Sequence, residues 1–228
     1  MIEPDDLRSH PLAHLGYFTE WGGAAWRAMV RLGVTEFLGP TLDGLRVLEI
    51  GSRHGRMSCL FGLMGAQVLG IDRYQSFVES AQEEARRFGV TSRVQFARTA
   101  GDFQDLPTGT YDIVFTKSVL VTFPDLQKAL ANINRLLNPG GRVLFIENGL
   151  GGTSLQLMRW IKHRGRNGYS MINYFTSDRI ETIRNKFDID RVEYSSLPPV
   201  YLICGHKLPA AEEESLPLSE HLAAAASR

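Results

Sequence analysis

From Arg46 to His206 the chain alternates short runs rich in Val, Ile and Leu with stretches of helical periodicity. Alternation of this kind builds βαβ units, because parallel strand pairs need a covering crossover helix, and it specifies an α/β fold around a mostly parallel sheet. Seven runs read as strands: Arg46–Ile50, Gln67–Ile71, Arg93–Phe96, Asp112–Thr116, Arg142–Glu147, Arg191–Ser195 and Val200–Gly205. Leu197-Pro198-Pro199 separates the last two and is too short for a crossover helix, so they form an antiparallel pair at the end of the domain.

Helix signals fall between these runs. Ser76 and Glu79 have the spacing of a capping box and predict a helix to about Phe88. Thr122-Phe123-Pro124-Asp125 places a cap, a proline and an acid ahead of a helix to Leu137. Ser177-Asp178 opens another that ends near Phe187. Residues 12–38 carry apolar and aromatic groups at mixed spacing and predict one or two helices beside the first strand.

Composition narrows the function classes. Twenty-five basic side chains balance 25 acidic ones and 43% of residues are hydrophobic, which excludes a disordered chain and argues against a broad nucleic-acid surface. No apolar run reaches the roughly 18–20 residues of a membrane-spanning helix. The opening MIEPDDLRSH has acids where a secretory leader has basic and then apolar residues, and Cys59 and Cys204 form neither a disulfide framework nor a metal spacing. A cytoplasmic protein is expected. The charge balance is uneven, however: residues 148–177 hold Arg159, Lys162, Arg164 and Arg166 before Asp178 brings the next acid, whereas the stretch from Ala210 is acidic and then Ala-rich and reads as a mobile tail or a loosely attached helix outside the fold.

The segment Val47-Leu48-Glu49-Ile50-Gly51-Ser52-Arg53-His54-Gly55-Arg56 runs from a buried strand through a Gly-containing turn into a helix, where backbone can approach a ligand and unpaired N–H groups face it. A dinucleotide fingerprint G-x-G-x-x-G starting at Gly51 needs glycine at positions 53 and 56, where the chain has Arg53 and Arg56, so NAD and FAD are not expected. The pattern acid-x-G-x-G-x-G is met by Glu49, Gly51 and Gly55, with Arg53 in place of the middle glycine. Asp72 closes the second run, where one carboxylate can accept both hydroxyls of a ribose. Gly101-Asp102-Phe103 follows the third run, and Leu137-Asn138-Pro139-Gly140-Gly141 precedes the fifth.

In this order and spacing the motifs resemble those of class I S-adenosylmethionine-dependent methyltransferases of the small-molecule type, over residues 45–206. The resemblance implies a Rossmann-like three-layer αβα sandwich with a seven-stranded sheet whose last strand is antiparallel, and S-adenosylmethionine as cofactor. It implies that Glu49, Gly51, Ser52, Arg53, Gly55, Asp72, Arg73 and Lys117 surround the donor, with Asp102 and Phe103 beside its adenine. Arg53 departs from the pattern. It would crowd the methionine end, grip that carboxylate with its guanidinium, or mark an impaired donor site. His54, inside the turn, faces cofactor or solvent.

The loop after the fourth strand separates subclasses of that family. Thr116-Lys117-Ser118-Val119 is unlike the [DNS]-P-P-[YFW] of enzymes that methylate base amines, and it lacks the acid that catechol-type enzymes use for magnesium. No metal is expected, and His10 and His14, four residues apart, have no third ligand to complete a zinc site. Ser118–Phe123 would wall the cofactor. Residues 148–177 form an insertion on the acceptor side, a lid whose cations bind a carboxylate or phosphate while Trp160, Tyr169, Tyr174 and Phe175 pack its apolar part; a solvated basic face fits the same residues. His163 is the first candidate for a general base and His14 the second, because imidazole titrates near neutrality, with Tyr169 or Tyr174 orienting the acceptor hydroxyl.

The expected reaction is methylation of a hydroxyl or carboxylate oxygen on a small anionic or polar molecule. An RNA methyltransferase and a non-catalytic protein that keeps the fold for binding stand as alternatives. No membrane partner is expected, nucleic acid is disfavoured, and a homodimer is left open. The chain divides into an N-terminal helical cap (1–44), a donor-binding domain (45–208) and the tail (209–228).

Overall fold

Strands β1 (Arg46–Ile50), β4 (Tyr111–Lys117) and β5 (Leu137–Asn148) carry the apolar stretches Val47-Leu48, Ile113-Val114-Phe115 and Val143–Ile146 because both faces of the sheet are covered where these lie. Val47, Leu48, Ile113, Val114, Phe115, Leu144 and Phe145 are all fully buried. The computed structural model describes residues 4–19, 23–99, 101, 103–152 and 173–209. On one side of β1, strands β2 (Gln67–Asp72) and β3 (Val94–Arg98) continue the parallel sheet. On the other side β4 and β5 are parallel, and β7 (Pro199–Lys207) and β6 (Phe187–Ser196) follow antiparallel. The seven strands lie in the order β3-β2-β1-β4-β5-β7-β6, the Rossmann-like arrangement that the motifs imply.

Helices cover both faces. On one, α4 (Arg56–Leu63) and α5 (Gln75–Phe88) share a core with α1 (Pro4–Ser9), α2 (Leu15–Phe18) and α3 (Ala24–Leu32). On the other, α6 (Leu126–Leu136) and α7 (Ser177–Arg184) pack on Leu48, Val114 and Phe145. Edge-to-face pairs such as Phe61–Phe115 at 5.1 Å and Phe145–Phe187 at 6.0 Å tie sheet to helix and strand to strand. Each such buried ring contributes about 2–3 kcal/mol through the area it removes from water. No helix among the described residues is long and apolar enough to cross a membrane.

Three local expectations are corrected. The Ser76/Glu79 capping box is not made: the N-cap of α5 is Tyr74, because Asp72 Oδ1 accepts the Tyr74 N–H at 3.0 Å and turns the chain into the helix two residues earlier. Thr122 does not cap α6. It ends a 3₁₀ turn (Leu120–Thr122), Pro124 keeps Phe123 extended, and Asp125 becomes the cap, its Oδ1 accepting the Lys128 N–H at 2.9 Å. Residues 12–38 hold more than two helices: a 3₁₀ turn (Pro11–His14), α2, α3 and a π-helical stretch (Gly33–Leu38). The tail expected from Ala210 lies outside the described residues.

Tyr17 fastens the N-terminal segment. Its hydroxyl donates to Glu84 Oε1 at 2.6 Å and accepts from Arg87 Nη1 at 2.6 Å, while the Arg56 guanidinium lies 4.3 Å over its ring. Burial and the neighbouring Glu84 carboxylate push the Tyr17 phenol above its ordinary value, so it stays protonated and keeps this bond. The contact sets α2, with Phe18, against the turn that follows β1.

Candidate donor and acceptor cleft

Strand order reverses between β1 and β4, and in open α/β sheets such a reversal opens a crevice at the carboxyl ends of the strands. Here it is a cleft of about 890 Å³. The turn after β1 forms its floor. Gly51 has φ +76°, and a Cβ there would stand 2.3 Å from Val119 Cγ2, so only glycine fits. Gly55, at φ +74°, caps α4, and its Cβ would stand 2.5 Å from Phe96 Cζ. The N–H groups of Gly51 and Ser52 both donate to the Ile71 carbonyl, at 2.8 and 3.0 Å, which binds the turn to β2.

Asp72, buried at the end of β2, accepts the Arg53 N–H on Oδ2 at 3.1 Å and the Tyr74 N–H on Oδ1. Glu49, equally buried, accepts from Ser58 Oγ. A row of cation–π and edge-to-face contacts runs beside Asp72: Arg53 Cζ lies 5.3 Å from the Phe77 ring centre, Phe77 meets Tyr74 edge-to-face at 5.7 Å, and Arg73 Cζ lies 4.6 Å over Tyr74.

The opposite wall is the loop after β4, held by a residue of β5. Glu147 is fully buried, and its carboxylate accepts Thr116 Oγ1 at 2.8 Å and the N–H groups of Val119, Leu120 and Val121 at 3.2, 3.0 and 3.4 Å. Burial pushes the Glu147 carboxyl up to about 7, against the pull of those donors. Asn148 Nδ2 donates to Ser118 Oγ in the same loop. Arg53, Phe103 and Ser118, the non-glycine residues at positive φ among those described, all line the cleft. Each left-handed residue costs about 1–2 kcal/mol, so strain is concentrated around this cavity.

Six of the residues expected at the donor line the cleft: Gly51, Arg53, Asp72, Arg73, Phe103 and Lys117. Glu49 and Ser52 line a niche of about 10 Å³ that borders Gly51, Arg53 and Lys117, roofed by Phe18. Gly55 sits behind the turn against Phe96 and Ala81. Phe103 meets Phe123 edge-to-face at 5.8 Å, and both face the cleft. Lys117 Nζ donates to the Thr19 carbonyl at 3.0 Å. Asp102, His163 and Tyr169 lie outside the described residues, as do Arg159, Trp160, Lys162, Arg164 and Arg166. His14 is not brought to the cleft; its Nε2 engages Asp6 Oδ2 at 2.8 Å on the N-terminal segment. His54 turns away to Ser80 Oγ at 2.8 Å. Phe175 is buried in the core under Arg179 rather than in the acceptor space, because its backbone pairs with Asn148 and Leu150.

Sequence reasoning missed Thr99, Tyr74, Phe77, Lys128 and Asn132, all of which line the cleft. It also passed over Glu147, although an acid at the end of an apolar run is the signal that marked Asp72. The polar chemistry fits an adenosyl donor. The hydroxyls of Ser52, in the niche, and Thr99, in the cleft, are buried with no hydrogen-bond partner among the described residues, and a buried hydroxyl is normally satisfied.

The methyltransferase-domain family matches residues 42–189, and the chain belongs to it. It is 34% identical over 119 residues to the ubiquinone biosynthesis O-methyltransferase of Bordetella bronchiseptica, a match covering 51% of this chain and 48% of that protein. It is 33% identical over 107 residues to the ubiquinone/menaquinone biosynthesis C-methyltransferase UbiE of Teredinibacter turnerae, covering 46% and 43%. The chain thus spans about half the length of the curated relatives it matches, with 48% and 43% covered in these two. Among solved structures, the [4+2]-cyclase SpnF shares the fold with a TM-score of 0.66 at 17% identity, over 84% of this chain and 85% of that one.

Proposed function

We propose that the protein transfers the methyl group of S-adenosylmethionine to a hydroxyl or carboxylate oxygen of a small anionic or polar molecule. The observation that carries this reading is the hydrogen-bonded pairing of the Gly51–Gly55 turn with Asp72 at the reversal of strand order, beside a cleft large enough for two ligands. When bound, the donor supplies an electrophilic methyl carbon, whose bond to sulfur breaks as the acceptor oxygen bonds to it, leaving S-adenosylhomocysteine. What is asked of the chain is to bind, orient and dry the reactants and, for a hydroxyl acceptor, to take its proton.

Each oxygen of Asp72 takes one backbone N–H and retains a lone pair for a ribose hydroxyl. Phe103 and Phe123 flank the adenine, with Asp102 as acceptor for its amino group, and Glu49 and Ser52 face the amino-acid end. His163 takes the acceptor's proton and Tyr169 orients its hydroxyl. Among the described residues four cations line the cleft, Arg53, Arg73, Lys117 and Lys128, against Asp72 and Asp125, which favours an anionic acceptor. Both ends of the basic insertion are tied beside this wall: the Asn173 N–H donates to the Val121 carbonyl at 2.7 Å and the Phe175 N–H to that of Asn148 at 2.8 Å. Relatives named for ubiquinone O- and C-methylation support a small-molecule acceptor.

The test is release of S-adenosylhomocysteine across matched phenols with and without a carboxylate. Turnover of the carboxylate-bearing members, with KM raised severalfold and kcat kept in Lys128→Glu, supports the reading; turnover of neutral members alone removes the anionic part, and methylation of RNA instead replaces it. A second reading, a fold kept without methyl transfer, draws on the neighbour named as a cyclase. Donor binding without turnover of any acceptor would favour it.

A further inference from the structure

We infer that Arg53 closes over the adenosine half of the donor, on the side of Asp72, and does not serve its amino-acid end. The inference rests on the donor reading above. Arg53 stands where the motif has its middle glycine, and its backbone keeps the left-handed conformation, φ 46°, that glycine adopts freely and arginine only under strain. A strained side chain on the wall of a cleft points to a use for that side chain.

One contact anchors the residue and a second places its head group. The backbone N–H is bound to Asp72 Oδ2, so the residue is anchored to the carboxylate that would hold the ribose. The guanidinium carbon is 5.3 Å from the ring centre of Phe77, on the first turns of α5, and that ring is braced edge-to-face by Tyr74 at 5.7 Å and His54 at 5.1 Å. The head group therefore lies on the β2–α5 side of the turn. A guanidinium is a planar set of N–H donors, a shape and chemistry that suit the oxygens of ribose hydroxyls. A planar cover here also keeps water from the Asp72 hydrogen bonds, and those strengthen as the local dielectric falls.

Calorimetric titration with S-adenosylhomocysteine and with 5′-methylthioadenosine, which keeps the adenosine and lacks the amino-acid end, separates the two roles. Wild type should bind both. Arg53→Gly should lose affinity for both by the same factor, about tenfold, with a melting temperature equal to or above that of wild type because backbone strain is relieved. Phe77→Leu, which removes the brace and leaves the arginine, should lose a smaller factor, again equal for the two ligands. Loss confined to S-adenosylhomocysteine would put the guanidinium on the amino-acid end and overturn the inference; unchanged affinity for both would leave Arg53 outside the site and also overturn it. If wild type binds neither compound, the donor reading fails and takes this inference with it.

Discussion

Arg53 and Asp72, 19 residues apart in the chain, are joined by one hydrogen bond of 3.1 Å from the backbone N–H of the first to Oδ2 of the second. It links the turn after β1 to the end of β2, so two residues on the proposed adenosine side of the donor are held by each other as well as by the sheet. A carboxylate that accepts backbone N–H groups is oriented before any ligand arrives, and preorganisation of that kind lowers the ordering cost of binding.

Replacing Asp72 by asparagine keeps the shape and one acceptor oxygen but turns the other position into a donor. S-Adenosylhomocysteine affinity should fall by about ten- to a hundredfold, the loss expected when a charge-assisted pair of hydrogen bonds is broken. Calorimetry checks it. Affinity within a factor of two of wild type would remove Asp72 from the donor site.

Gly51→Ala tests the floor of the cleft. The new methyl would stand 2.3 Å from Val119 Cγ2 on a backbone at φ +76°. Strain and overpacking together should lower unfolding stability by about 2–4 kcal/mol in urea titration. The displaced Val119 belongs to the wall that Glu147 holds, so donor affinity should fall as well.

Glu147 predicts a particular dependence of stability on pH. Its carboxyl sits at about 7 in the fold against an ordinary 4.5. Between those values the folded protein retains a proton that the unfolded chain releases, so stability falls as pH rises through this window and changes little from this group outside it. Glu147→Gln lacks that term. The stability of the variant relative to wild type should therefore grow, by on the order of 3 kcal/mol, between pH 4.5 and 7. Parallel denaturation curves at several pH values check it; a difference that is flat, or that shrinks with pH, contradicts the burial of an ionisable carboxyl beneath this wall.

Much of the cleft was legible in the chain because its floor is built from strand ends. Glu49, Gly51 and Asp72 stand where apolar runs stop, and parallel strands deliver those stops to one edge of the sheet. What stayed hidden depends on partners distant in sequence. The brace of Arg53 by Phe77 and the four donors gathered by Glu147 arise only when separate elements pack. The start of α5 was misread because Asp72, a residue already assigned to ligand, also makes the turn that opens the helix. For His14 it is likewise a contact made on folding that the spacing of histidines did not announce, its Nε2 lying 2.8 Å from Asp6 Oδ2 on the N-terminal segment.

The central claim, that the cleft between β1 and β4 takes S-adenosylmethionine, is tested most directly by titrating the wild-type protein with S-adenosylhomocysteine and, separately, with NADH. One equivalent of S-adenosylhomocysteine should bind with measurable heat, and NADH should give none. Absence of heat from S-adenosylhomocysteine, or saturable binding of NADH in its place, would contradict it.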